Sequence, residues 1–284
     1  MKVSLLMNAI NVSGNAILIY GFHCGTEGVA IPTLVSRFVA AFIIIKLLLK
    51  DKWTLHLERT FRFNPDWSMI RKILSVGIPN GLENSMFQLG KVLVLSLVST
   101  FGTYAIAANA VSNVITLFSI LPGQAICLAV TTVIARCVGA GDYEQAKYYN
   151  KKLILLTHIG MAITIFIVFI TLPFILKVYN LSEAASEATR HIIWFHGCCA
   201  ILIWAESFTL PATFRACGDA KACMIISTVS MWIFRVGASY ILGKNLGLGV
   251  FGVWVAMIID WAFRSLLFGI RYFSGKWKKH ALVS

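Results

Sequence analysis

Charge is what this sequence has least of. Only 13% of its 284 residues are Asp, Glu, Lys or Arg, about half the share that clothes a soluble domain, which excludes an ordinary water-soluble fold. Acid is the scarcer sign, with 12 carboxylates against 25 Lys and Arg. Catalytic signatures are missing too. There is no His-Glu-x-x-His, no Gly-x4-Gly-Lys-Ser/Thr phosphate loop and no Gly-x-Ser-x-Gly, so the chain reads as a non-enzyme. A disulfide framework is also lacking. Cys24, Cys127, Cys137, Cys198, Cys199, Cys217 and Cys223 lie mostly in or beside apolar runs, where a thiol behaves as a small hydrophobe.

What is abundant is apolar residue: 58% of the chain, with a mean hydropathy of +0.79. The fold class is therefore all-α and polytopic in a membrane, because an isolated segment in lipid must satisfy its own backbone hydrogen bonds. Eight transmembrane helices are predicted, over residues 3–20, 29–49, 73–98, 105–134, 153–178, 192–214, 223–241 and 250–273. The fourth is too long for a straight crossing, and Pro122-Gly123 is placed to bend it. The first has Lys2 and an apolar run, as a signal peptide does, but Asn8, Asn11 and Asn15 interrupt it and no small-residue cleavage site follows, so it reads as a retained helix.

The net charge of +13 does not point to nucleic acid, since the basic residues sit between apolar runs rather than on one face. They are topology signals. Alternate loops and the two ends hold 17 Lys and Arg, among them Lys50, Lys52, Arg59, Arg62, Arg136, Lys151, Lys152 and Arg215, against Lys177, Arg190 and Lys244 on the other side. Cytoplasmic loops keep the excess, which predicts a multi-pass cell-membrane protein with both termini cytoplasmic.

One span stands apart. Residues 73–98 would extend about 39 Å as a helix, enough to cross a bilayer, yet they carry Glu83 and Lys91 at membrane depth. Such charges cost at least ~2.5 kcal/mol each on insertion scales and normally face a bundle interior or wet cavity. Asn84, Gln88 and Lys91 follow i, i+4, i+7 spacing on one face, and Pro79 with Gly77 and Gly81 loosens the helix there. A substrate or ion pathway is the favoured reading, and helix-to-helix glue the alternative.

Other polar residues fall on other spans. Asn8, Asn11 and Asn15 share a face and either glue helices or line a cavity. Arg37 faces inward or snorkels, and Lys46 is placed to snorkel. Asn109, Asn113 and Thr116 share a face and either line the pathway or bond across an interface. Arg235 and Asp260 are expected to pair structurally, with Arg264, four residues from Asp260, competing for it. His191, His196, Cys198 and Cys199 are not read as a metal site, because adjacent cysteines on a helix point apart.

An internal repeat appears at an offset of 224 residues. Gly25-Thr-Glu-Gly28-Val29 aligns with Gly249-Val-Phe-Gly252-Val253, each following an apolar helix end. Helices one and two then correspond to seven and eight, a six-helix unit of which the first copy lacks four, and parallel repeats are a transporter signature.

Three further motifs sharpen the picture. Arg136-Cys-Val-Gly139-Ala-Gly141-Asp142 and Arg215-Ala-Cys-Gly218-Asp219 each end one helix and open the next with an Asp cap, and Gly77-Ile-Pro79 opens a helix. With these motifs the sequence resembles the multidrug and toxic compound extrusion (MATE) transporters, as their last eight of twelve helices. The resemblance implies antiport, in which Na⁺ or H⁺ entry drives export of a small amphipathic, often cationic compound through a cleft between two six-helix lobes. It implies no cofactor beyond the coupling ion, and as partners the lipid bilayer and the substrate. It also implies that residues 1–50 close the first lobe, 51–72 link the lobes on the cytoplasmic side, 73–275 form the second lobe and 276–284 a basic tail. Four preceding helices, or another chain, would supply the rest of the first lobe, without which the chain alone would be inactive. Where some members carry acids on the seventh helix and before the Arg motif, this sequence has Phe87 and Trp204, which leaves Glu83 and Glu206 as the nearest carboxylates for the ion. A lipid-linked sugar flippase of related fold, or a non-transporting fragment, are the alternatives. Cysteines placed at Tyr148 and at Ser182 of a cysteine-free variant should be labelled by an impermeant thiol reagent from opposite faces, Tyr148 from the cytoplasm; labelling of both from one face would overturn the topology.

Overall fold

A computed structural model describes residues 2–49, 65–275 and 277. Most of the expected linker 51–72, and the expected tail 276–284 apart from Trp277, lie outside the described residues. Among the described residues the chain forms eight helices: α1 (Lys2–Ala16, running into a π-helical turn Ile17–Gly21), α2 (Glu27–Leu48), α3 (Trp67–Ser99), α4 (Thr103–Gly139), α5 (Tyr143–Tyr179), α6 (Glu183–Ala216), α7 (Ala220–Ser230, continuing through π-helical segments Met231–Gly237 and Tyr240–Asn245) and α8 (Gly249–Phe273). Seven are long and apolar enough to cross a membrane. The exception is α3, whose Glu83, Lys91 and side-chain amides lower its hydropathy although it is 33 residues long.

The chain divides into two compact units, Met1–Pro65 and Asp66–Ser284. The helix α3 starts six residues earlier than the expected span, at Trp67, because the Asp66 carboxylate accepts from the Ser68 and Met69 amides at 2.9 and 3.1 Å. That satisfies donors every helix start leaves open. Asp142 does the same for α5, accepting from the Gln145 amide at 2.9 Å, after Gly141 turns the chain with φ +75°.

The first unit is a hairpin of α1 and α2. Its amide stripe acts partly as glue: Asn11 donates to Thr33 Oγ1 at 3.0 Å, and Asn15 donates to Asn11 Oδ1 at 3.2 Å. Gly14 lies against Pro32, where an added Cβ would sit 2.7 Å from the proline ring.

The second unit packs α3–α8 into one bundle. Its core gathers Leu97 and Val98 of α3, Met161 and Ile165 of α5, Trp204 of α6, and Trp254 and Trp261 of α8. Association in lipid gains nothing from excluding water between apolar faces, so close backbone approach does the work. Gly123 of α4 admits the Trp204 ring, which an added Cβ would meet at 2.3 Å. The helix α4 runs unbroken through Pro122. Large apolar side chains such as Phe166, Phe174 and Leu202 cover the outside, the inverse of a soluble surface and fitted to acyl chains.

The repeat seen in the sequence recurs in the backbone. In the first unit Phe22 N donates to Ile17 O and Cys24 N to Leu18 O; in the second, Leu246 N donates to Ile241 O and Leu248 N to Leu242 O. Each pair of equivalents is 224 positions apart. Both elbows follow a π-helical turn, and both hold a left-handed residue at the matching position, His23 with φ 54° and Gly247 with φ 71°. Beyond each elbow a glycine permits close approach, Gly28 against Cys24 and Gly252 against the Leu242 carbonyl. An added Cβ at Gly252 would lie 2.8 Å from that backbone group, which cannot rotate away as a side chain can. Gly252→Ala should therefore lower the thermal midpoint in detergent, at a cost of about 1–3 kcal/mol as for other overpacked sites. Gly269→Ala in the same helix, with open space around it, should leave the midpoint unchanged or raise it.

Candidate substrate cavity and interior charges

The charges of the second unit form a ladder along the bundle. At the end carrying the α6–α7 turn, Arg271 Nε donates to Asp219 Oδ2 at 2.6 Å. Asp219 stands at the start of α7 but does not cap it, which corrects the expectation of a second Asp cap: Arg271 offers the carboxylate a full opposite charge instead of an amide. Gly218 makes the turn with φ +86°. Beside it, burial and then the charge of Asp219 push the Cys217 thiol up to about 12, so it stays protonated and unreactive at neutral pH.

The next rung joins α3 to α6. Arg215 Nη2 donates to both carboxylate oxygens of Glu83 at 2.8 Å, with Glu83 buried. The polar residue that gave α3 its pathway character is thus one half of an ion pair with the arginine of the Arg-Ala-Cys-Gly-Asp motif. Gly77-Ile-Pro79 does not open a helix as expected: Asp66 caps α3 at Trp67, and Pro79 lies in its interior one turn before Glu83, while Gly139 closes α4.

Deeper in the bundle the expected Arg235–Asp260 pair is not formed. Ser230 Oγ donates to Asp260 Oδ1, Arg264 Nη2 donates to Ser227 Oγ at 3.1 Å, and Arg235 Nη2 donates to Met257 Sδ at 3.0 Å. These three contacts run in antiparallel register along α7 and α8, so Arg235 lands beside Met257, about one turn away from Asp260. Neither arginine forms an ion pair with Asp260, whose Oδ2 has no protein partner among the described residues. Phe87, in the register where an acid was expected, is instead the ring on which the cations converge: Lys91 Nζ and Arg235 Cζ lie 5.3 Å from its centre and Arg264 Cζ 5.7 Å.

Two of these cations, Lys91 and Arg235, border a cavity of about 210 Å³ among α3, α4, α7 and α8, whose lining also takes in Val94, Leu95, Asn109, Asn113, Val253, Trp254 and Met257. Asn109 Oδ1 accepts from Trp254 Nε1 at 3.2 Å, which fixes the indole in the wall. Asn113 Nδ2 donates to the Asn109 carbonyl at 2.7 Å. Thr116 bonds within its own helix to Asn113 O at 3.1 Å and does not reach the lining. Of the α3 stripe only Lys91 lines the cavity; Asn84 donates back to Asn80 O at 2.9 Å, and Gln88 is exposed elsewhere. Glu206 sits apart on α6, where His158 Nε2 lies 3.0 Å from its Oε1 and His158 Nδ1 lies 2.6 Å from Ile201 O. The other carboxylate oxygen of Glu206 is buried with no protein partner among the described residues. No group of three or more His, Cys, Asp or Glu is placed to hold a metal ion among the described residues; His196 packs edge-on between Trp254 and Trp261.

The MatE family profile matches residues 79–241, more than half of the chain. The chain belongs to the MatE family. The matched stretch contains the Glu83–Arg215 pair, Lys91 and Arg235. Among curated relatives, the probable multidrug resistance protein NorM of Thermotoga maritima is 27% identical over 289 residues, covering 100% of this chain and 61% of its own length. The uncharacterized transporter YisQ of Bacillus subtilis is 26% identical, covering 98% of this chain and 61% of its own length. The chain thus spans about 61% of the length of these relatives. An outward-facing MATE transporter of the MOP superfamily superposes with a TM-score of 0.87 at 20% identity, over 98% of this chain and 62% of that one, and so shares the fold. A MOP superfamily transporter from Pyrococcus furiosus, whose reversed binding-pocket polarity is reported to suggest a different function, superposes with a TM-score of 0.86 at 20% identity, over 97% and 62%.

Sequence reasoning singled out Glu83 and Arg215 separately but not their contact, 132 residues apart in the chain. His158 was missed; the available signal was a histidine within the most apolar span. Because removing one partner of a buried pair strands the other charge, Glu83→Gln should lower the thermal midpoint, at a cost of about 2–3 kcal/mol, at or just below the ~3–5 kcal/mol of fully buried pairs because Arg215 is partly exposed. Adding Arg215→Gln should recover part of the loss, and an unchanged midpoint in the single variant would show that the pair contributes no stability.

Proposed function

We propose that the chain is part of a secondary active efflux transporter that exports small amphipathic compounds in exchange for Na⁺ or H⁺, in the cell membrane with both termini cytoplasmic. One observation carries the reading: a cavity with a polar lining opens among α3, α4, α7 and α8 of an otherwise apolar bundle, with Lys91, Leu95 and Asn113 on its open side, and ionisable groups at membrane depth mark a pathway. Trp254, Val94, Leu95, Val253 and Met257 offer the apolar part of the lining, and Lys91, Arg235, Asn109 and Asn113 the polar part. Alternating access needs two walls that rock about a midplane site. Residues 66–284 supply one wall, and the other comes from further helices or another chain, so on this reading the 284-residue chain is inactive alone.

Glu206, rather than Glu83, is the carboxylate that exchanges with the coupling ion. Glu83 is held by both oxygens to a guanidinium, whereas Glu206 has a neutralisable partner in His158 and one oxygen left over. A carboxylate beside an imidazole can pass a proton to it, or take a hard cation through oxygen. The cationic half of the expected substrate class is not favoured by the lining. Lys91 and Arg235 instead lend weight to the second reading, a flippase for lipids with an anionic head.

Within the complete transporter in vesicles, Glu206→Gln should abolish gradient-driven export of a fluorescent amphipathic dye while leaving the thermal midpoint close to that of the parent. Full export by the variant would remove Glu206 from coupling, and no gradient-driven movement by the parent with any dye tested would overturn the efflux reading itself.

A further inference from the structure

The cavity walls do more than admit an amphipathic solute; their charge selects one sign of it. Lys91 Nζ has no hydrogen bond or ion pair among the described residues, and it stands over the face of Phe87, 5.3 Å from the ring centre. Among the described residues the one hydrogen bond from the Arg235 side chain goes to a thioether, Met257 Sδ, a weak acceptor that leaves most of the guanidinium's donors unspent there. Asn109 spends its carbonyl oxygen on Trp254 Nε1, so what it can turn to the cavity is its NH₂. Two cations and an amide donor therefore border one space, and no carboxylate is among its lining residues.

The wider balance has the same sign. Glu83 is taken by Arg215 and Glu206 by His158. Asp260 is then the remaining interior acid of the second unit, tied to Ser230, while Lys91, Arg235 and Arg264 all approach Phe87. Asp260 acts on Arg235 without an ion pair to it, Lys91 has none either, and cations left so at membrane depth are expensive. A bound anion would offset that cost through charge-assisted hydrogen bonds, which are strong where water is scarce. The backbone shares in the arrangement, since Arg235 lies in the π-helical segment Met231–Gly237, and such widened turns recur at functional sites.

We infer that this cavity is an anion-binding subsite, taking a ring-bearing amphiphile whose acidic group, a sulfonate, carboxylate or phosphate ester, sits between Lys91 and Arg235 while its ring lies on Trp254. The volume is adequate: an engineered cavity of about 150 Å³ accommodates benzene, and this one is about 210 Å³. The inference rests on the transporter reading for its physiological meaning but is tested by binding alone.

Two probes of one shape and opposite charge separate the possibilities. With the purified chain in phosphatidylcholine nanodiscs, equilibrium dialysis should show saturable binding of naphthalene-1-sulfonate and none of 1-naphthylmethylammonium, with affinity falling as salt is raised. Lys91→Gln should weaken sulfonate binding about tenfold or more, the loss expected for one charge-assisted contact, and Lys91→Glu should abolish it. Lys91 is exposed on the bundle, so these variants keep the fold, and Arg235→Gln serves as the second wall's test where its thermal midpoint matches the parent. Equal or tighter binding of the ammonium probe, no saturable binding of either probe, or sulfonate binding indifferent to Lys91→Glu would each overturn the inference. Displacement of the sulfonate when phosphatidylglycerol replaces part of the nanodisc lipid would support it and assign the natural anion to a lipid head; sulfonate binding unmoved by that lipid would support it with a soluble anion. Binding with this preference in a chain that drives no export in the complete transporter would overturn the efflux reading and leave the subsite standing.

Discussion

Everything in the second unit is arranged around the cost of charge in hydrocarbon. The contact that organises the rest is the one between Arg215 and Glu83, in which one guanidinium nitrogen donates to both carboxylate oxygens. It holds α3, the one helix of the eight that falls short as a candidate membrane span, against the rest of the bundle, and it ties the Arg-Ala-Cys-Gly-Asp turn to a helix that begins more than a hundred residues earlier. With that pair closed, the remaining interior charges cannot all be neutral. Lys91, Arg235 and Arg264 share Phe87, Asp260 acts on the two arginines alone, and Lys91 and Arg235 bring their positive charge to the cavity.

Much of the architecture was legible in the sequence because a bilayer leaves few options. Apolar runs long enough to span it must be helical, and all eight predicted spans became helices. Their ends were less exact, because caps such as Asp66 and Asp142 extend α3 and α5 well beyond the apolar stretch into water. The helix turns at Gly141 and Gly218 were foreseen from residues that tolerate a positive φ. The purpose of Asp219 was not, since its partner Arg271 lies 52 residues on.

The candidate site was legible only in parts. Lys91, Asn109 and Asn113 were picked out as polar residues on apolar helices, and the fold brings them to one cavity. What periodicity could not give was which helix faces which. Arg235 and Asp260 are both buried charges, and pairing them is the natural guess; the antiparallel register of α7 on α8, together with the widened turns of α7, sets them a turn apart. Likewise the amide spacing of Asn84, Gln88 and Lys91 is a true helical stripe, yet its members meet different surroundings. A stripe tells direction around one axis and says nothing of what lies opposite.

The two elbows, at His23 and at Gly247, record how strictly two geometric demands are held within one molecule. The left-handed backbone is the same in both, yet one copy meets it with histidine and the other with glycine. Five residues further on both copies have glycine: an added Cβ would meet the Cys24 Cβ at 3.0 Å at Gly28, and the Leu242 carbonyl group at 2.8 Å at Gly252. A non-glycine residue held at a positive φ costs on the order of 1 kcal/mol, a strain the elbow can absorb. A methyl group thrust into a neighbouring carbonyl has nowhere to go. In a protein that repeats its own design, steric exclusion thus leaves a deeper imprint on residue choice than torsional preference does.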